Sequence, residues 1–179
     1  MSPPPRGPPS TCTTTGTTSR RSPRRWPRPE PCLDTSRPEP QLSALYQELI
    51  LDHYRRPRNK GTLEGATHSV ALNNPLCGDE IDLQLRLEGD VIKDVRFIGR
   101  GCSISQAAAS MMTQVVKQRR LADALALADR MSAMMHGDEA AARDRTLGDL
   151  RALAGVAKFP VRVKCAMLPW NALKDAVKS

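Results

Sequence analysis

The sequence predicts an α+β domain: a three-stranded antiparallel meander packed with an N-terminal helix and several C-terminal helices. Three observations carry this. From Ile81 to Glu88 apolar and polar residues alternate without a break, the mark of a strand with one buried and one wet face. Ahead of it, Leu42, Leu45, Tyr46, Leu49 and Ile50 recur at helical spacing. Behind it, Ala107, Ala108, Ala109, Met111, Met112, Val115 and Val116 open a long helical stretch. Helix, then strands, then helices is the order of an α+β fold.

The first helix starts near Gln41, with Ser43 as a cap, and runs to about Arg55. Pro57 ends it by disfavouring helix at Arg56. Arg56-Pro57-Arg58-Asn59-Lys60-Gly61 is a basic turn. Ala66 to Asn73 reads as the first strand, Ile81 to Glu88 as the second. Gly89-Asp90 turns the chain into a third, Val91 to Ile98. Gly99 to Ser103 breaks that strand. Ser103-x-x-Gln106 has capping-box form and starts the next helix. Further helices are expected over about Leu121–Met134, Leu147–Leu153 and Cys165–Val177, with Pro169 in the first turn of the last. The core must be aliphatic and Ala/Met-rich, because only two Trp, two Tyr and two Phe are present.

The 179 residues carry a net charge of +8, and half of it belongs to the first forty. Residues 1–40 hold 11 of the 15 prolines, 12 Ser/Thr and seven arginines against three acids. With almost nothing aliphatic to bury, this stretch reads as a disordered Pro/Arg/Ser/Thr-rich tail, and 41–179 as the folded domain. A mis-called start site and a basic anchor for anionic partners are the other readings of the tail. Cys12 and Cys32 within it are incidental. The folded part is only mildly basic, and nothing in it asks for nucleic acid. No run approaches the roughly 18 apolar residues of a membrane span, and no apolar stretch follows Met1. A cytoplasmic location is expected.

Three cysteines remain: Cys77 in a turn before the long strand, Cys102 in a Gly-flanked loop, and Cys165 after Val161-Arg162-Val163-Lys164. Buried cysteines usually sit inside apolar stretches. These lie among Gly, Pro, Asp, Arg and Lys, where helix starts and flanking cations favour thiolate. Three is an odd number for disulfides, and nothing marks secretion. Cys77-x-Asp79 offers two ligands from one turn, and Cys102 and Cys165 would close a four-coordinate site. Spacings of 25 and 63 residues fit no compact zinc finger. Zinc, iron–sulfur chemistry and small buried side chains all stay open on these grounds. His53, His68 and His136 adjoin no cysteine in sequence and are not expected to be ligands.

Four motifs, in order, carry a resemblance: Leu51-Asp52-His53-Tyr54-Arg55-Arg56-Pro57-Arg58-Asn59, Asn74-Pro75-Leu76-Cys77-Gly78-Asp79, Gly101-Cys102-Ser103-Ile104-Ser105, and Lys158-Phe159-Pro160-Val161-Arg162-Val163-Lys164-Cys165. Over about residues 42–178 the chain resembles iron–sulfur cluster assembly proteins of the IscU/NifU N-terminal type, and within them the SufU branch. The IscU branch carries a histidine directly before the third cysteine; here that position is Lys164. The stretch from about Arg130 to Leu150 resembles the insertion of SufU-like chains.

The resemblance implies an IscU/SufU-like fold and zinc held by Cys77, Asp79, Cys102 and Cys165. It implies a pyridoxal-phosphate cysteine desulfurase of the SufS type as partner. Cys77 would accept persulfide sulfur in a sulfurtransferase-like role, with a downstream iron–sulfur scaffold as recipient. Arg162 and Lys164 are the supporting cations. The alternative is a scaffold on which iron or a transient iron–sulfur cluster is assembled at the same cysteines.

Overall fold

The computed structural model describes residues 44–178. The expected tail, its boundary at residue 40, Cys12, Cys32 and the Ser43 cap lie outside the described residues. Helix α1 spans Ala44–Arg55. Strands β1 (His68–Asn74), β2 (Asp79–Glu88) and β3 (Val91–Arg100) form one antiparallel sheet in the order β1-β2-β3. Then come α2 (Ser103–Val116), α3 (Leu121–Met135) and α4 (Glu139–Arg143). A 3-10 segment (Arg145–Lys158) and α5 (Pro160–Ala176) complete the chain.

The alternation in β2 does what it predicts: Ile81, Leu83 and Leu85 are buried on one face. Val95 and Phe97 of β3 pair opposite Leu85 and Leu83 and bury beside them. The register slips between Arg86 and Leu87, a bulge that lets Ile92 and Val95, three residues apart, point the same way. Burying each of these large side chains contributes about 1.5–3 kcal/mol. Helices α2 and α5 cover this face. Ala107, Ala108 and Ala109 admit close approach, while Met111, Met112 and Trp170 fill the volume.

The strands run further than alternation showed. Asn74 pairs with Asp79 and Glu80 with Arg100, so the sheet extends to both motif loops. Residues 59–61 lie along β3, with the Gly61 amide donating to the Phe97 carbonyl (2.9 Å) and the Phe97 amide to Asn59 (3.1 Å).

Three expectations need correction. The cap of α2 is Cys102, not Ser103: its sulfur accepts from the Ser105 amide at 3.4 Å. The short helix expected at 147–153 is part of a longer 3-10 segment that bends at Gly148, where φ is +55°. The last helix begins at Pro160, five residues before Cys165, and Pro169 sits in its interior. The alternating valines of Val161-Arg162-Val163 look extended in sequence. Pro160 at the first helical position presets φ, and the Arg162 amide bonds back to Phe159 (2.8 Å).

Candidate metal centre

Three chain segments meet at one end of the sheet. The first is the hairpin loop Pro75–Gly78 between β1 and β2. The Cys77 and Gly78 amides both donate to the Asn74 carbonyl (3.2 and 2.8 Å), and the Asn74 side chain accepts from Leu76 (3.2 Å). Gly78 closes the turn at φ +67°, a conformation costly for other residues. The loop holds Cys77 half-exposed and delivers Asp79, 1 % exposed, as the first residue of β2.

The second segment is Gly101-Cys102 at the start of α2. The Cys102 amide donates to Asp79 Oδ1 (2.8 Å), and Cys102 Sγ lies 3.5 Å from Asp79 Oδ2. This packing needs Gly101. A Cβ there would sit 2.6 Å from both Asp79 Oδ1 and Ser105 Oγ. As cap, Cys102 also places its sulfur at the start of α2.

The third segment is α5. Cys165 lies in its second turn, fully buried, with its sulfur 3.2 Å from Cys77 Sγ. The Asn74 side-chain amide donates toward that sulfur at 3.8 Å. The expected reason for an acidic Cys165, a place at a helix start, therefore does not hold. Burial first, then hydrogen bonds with Asp79 and Cys77 and the charge of Cys102, push its thiol well up. That buried thiol retains its proton until a cation is placed beside it.

Ligand atoms of Cys77, Asp79 and Cys165 all lie within 4.8 Å of one another, an arrangement able to hold a metal ion. Cys102 stands outside that mutual set and joins it through Asp79. Three sulfurs and one carboxylate oxygen is a donor set that suits tetrahedral zinc. Arg162, one turn ahead of Cys165, faces the same sulfurs. Negative charge on Cys102, then a hydrogen bond to Cys165, hold its guanidinium still more firmly protonated. Lys164 instead lines the adjoining groove with Asn73, Pro75, Met167 and Asn171.

Sequence alone assigns Asn74, Gly101 and Ser105 no role, yet they position the candidate ligands. Their signal was present in motif residues directly beside or near Cys77 and Cys102. None of the histidines joins the cluster. His53 is buried elsewhere, His136 is exposed beside Gly137, and His68 lies half-buried on the Val70 face, bonded to Thr67.

Fold and site together define a small α+β domain that gathers three thiols and a carboxylate where strand and helix ends meet. The profile of the NifU-like N-terminal domain matches residues 45–178, and the chain belongs to that family. It is 49% identical over 138 residues to the zinc-dependent sulfurtransferase SufU of Bacillus subtilis, covering 76% of this chain and 91% of the relative. It is also 49% identical over 138 residues to the iron-sulfur cluster assembly scaffold protein IscU of Streptococcus pyogenes, covering 77% and 86%. A solved structure described as an iron-sulfur cluster assembly scaffold for the SUF system, from Fervidobacterium islandicum, superposes with a TM-score of 0.68. It is 35% identical, over 73% of this chain and 94% of that one. Among the described residues no helix is long and apolar enough to cross a membrane.

Proposed function

We propose that this protein serves iron–sulfur cluster assembly as a zinc-dependent acceptor and carrier of persulfide sulfur. The donor is a pyridoxal-phosphate cysteine desulfurase of the SufS type. Zinc is held by Cys77, Asp79, Cys102 and Cys165, and Cys77 receives the sulfur. The observation that carries the reading is the approach of Cys77, Asp79 and Cys165 to within 4.8 Å, with Cys102 on the far oxygen of Asp79. The 49% identity to a zinc-dependent sulfurtransferase supports it.

Zinc bound here keeps the thiols deprotonated, including the buried one. The chain supplies the rest. Cys77 is half-exposed on a hairpin loop and borders a groove with Phe159, Val161 and Arg162, so an incoming persulfide meets it first. Its thiolate attacks the terminal sulfur of the donor's persulfide. The donor's S–S bond breaks, the donor cysteine leaves as thiolate, and Cys77 keeps the sulfur as its own persulfide. A divalent cation, three thiolates and one carboxylate leave a formal charge of −2, and the Arg162 guanidinium offsets part of it. Asp79 and Cys165, both buried, anchor the site while the loop residue reacts.

Mixing the protein with its cognate cysteine desulfurase and free cysteine tests this. Alanine production rises, and intact-mass analysis finds one added sulfur on Cys77. Alanine production unchanged by the protein sinks the reading.

A second reading is favoured by the scaffold description of the Streptococcus relative: a labile iron–sulfur cluster assembled at the same cysteines. Lys164, where the IscU branch has histidine, removes one candidate ligand for it. Elemental analysis of freshly isolated protein separates the two. Zinc at one per chain supports the carrier; iron and sulfide without zinc support the scaffold.

A further inference from the structure

Two of the three thiols are placed unlike the third. Cys165 Sγ lies 3.2 Å from Cys77 Sγ, about 1 Å more than a disulfide bond requires. Cys102 Sγ falls outside the mutually close set and is tied to its own helix start by Ser105. Access differs as well: Cys77 is half-exposed on a loop, and Cys165 is fully buried on a helix. One sulfur is open to a small oxidant, and its neighbour is shielded and already in contact. That is the arrangement of an attacking and a resolving thiol.

We infer that Cys77 and Cys165 form an intramolecular disulfide when a peroxide reaches the site, with Cys102 left as a thiol. This deepens the reading above, because the modified pair is the proposed sulfur acceptor and one of its fellow ligands. The Cys77 thiolate attacks one peroxide oxygen. The O–O bond breaks, the sulfur becomes a sulfenic acid, and hydroxide leaves, taking a proton to become water. The Cys165 thiol then attacks the Cys77 sulfur, its proton passes to the departing hydroxyl, the S–O bond breaks and a second water leaves. The two sulfurs together lose two electrons and the peroxide gains them. The product keeps neither sulfur as a ligand, so it loses the metal and cannot accept persulfide. A dithiol reductant restores both thiols by exchange. The hairpin loop supplies the small movement required, since Gly78 carries its bend and meets no atom within 4 Å of a Cβ position.

The test uses the full chain with Cys12→Ser and Cys32→Ser, so that Cys77, Cys102 and Cys165 are the only thiols. In a first arm, metal is removed with a chelator, retention of the fold is checked by circular dichroism, and hydrogen peroxide is added. Non-reducing peptide mapping is expected to find Cys77 joined to Cys165 and Cys102 open to alkylation. A disulfide that includes Cys102 overturns the inference. So does Cys77 advancing to sulfinic acid beside a reduced Cys165.

In a second arm, the protein as isolated is treated with peroxide beside a chromogenic zinc chelator, which covers the case of a chain that loosens without metal. Zinc release in step with the Cys77–Cys165 link, both reversed by a dithiol, supports the inference. Release without that link overturns it. Cys165→Ser is expected to leave Cys77 trapped as sulfenic or sulfinic acid. Protein without zinc, or without effect on alanine production, would defeat the sulfur-carrier reading alone, because the first arm still decides the disulfide.

Discussion

Two polar islands interrupt the apolar interior, and they are built on opposite principles. One is centred on His53 of α1, 1 % exposed. Its Nε2 lies 3.4 Å from Asp149 Oδ2 and its Nδ1 lies 2.9 Å from Ser110 Oγ. The carboxylate can only accept, so Nε2 carries the proton. The neutral ring then takes a hydrogen bond from Ser110 at Nδ1. Ser110 in turn accepts from the Arg58 amide (2.8 Å), and Thr113 joins Asn59 (3.1 Å) to the Ser110 carbonyl (2.8 Å). These groups close on one another, and the one charge among them, on Asp149, sits on a side chain 54 % exposed to solvent. The other island holds three thiols and a carboxylate with one exposed guanidinium facing them. Closed networks of the first kind fix a fold. Converging anions of the second kind cost stability unless a cation offsets them. The difference assigns structure to one and chemistry to the other, although the first contains a Ser–His–Asp triplet. Ser110 is wholly buried and engaged by the backbone, so it is no nucleophile.

The sharpest way to break this contrast is Cys77→Ser. It is expected to abolish the added alanine production in the desulfurase assay while the unfolding midpoint moves little. A large loss of stability with activity retained would make Cys77 structural. Asp79→Ala comes next: zinc affinity falls by about 100-fold or more, because losing a proposed ligand costs at least as much as losing a group that only supports one, with the fold kept. Competition with a chelator of known affinity measures it. His53→Ala should do the reverse, costing about 2–3 kcal/mol in denaturant unfolding through a cavity and lost hydrogen bonds, at unchanged zinc stoichiometry. Gly101→Ala should weaken zinc about tenfold, since the added Cβ meets Asp79 Oδ1 and Ser105 Oγ at 2.6 Å.

The smallest effect is a pH dependence. Burial, and next the charge of Arg58, hold the His53 imidazole below its ordinary value of 6.5, against the opposing pull of Asp149 and Asp52. Below pH 6.5 the unfolded chain therefore binds more protons than the folded one. The stability from His53 is complete above that value and is lost as pH falls toward the lowered folded one. His53→Gln should flatten this part of a stability-against-pH curve and leave the alkaline side alone.

The partners of this ring are not legible in the chain alone. His53 closes the apolar stripe of α1, while its partners come from α2 and the 3-10 segment, 57 and 96 residues on. A polar stripe at Gln106, Ser110 and Thr113 of α2 was the available sign. It lay inside an Ala- and Met-rich run that reads as core. The first of these accepts from Lys60 at 3.0 Å, so the basic turn after α1 docks along that stripe.

Local sequence determined the elements whose cause is local. Alternation in β2 set its buried face, and a two-residue Gly89-Asp90 turn made the β2–β3 hairpin, because both depend on neighbours in the chain. It also put forward the candidate ligands, since Cys77-x-Asp79 and the Gly-flanked Cys102 stand out by their adjacent residues. Where α5 begins, which residue caps α2 and which thiols touch were decided by tertiary structure. Pro160 can open a helix or end a strand, and Cys102 and Ser103 can each cap one. Packing of α5 against α2 and the sheet selects between them. The 3.2 Å approach of Cys165 to Cys77 spans 88 residues of chain, a separation that only the assembled core closes.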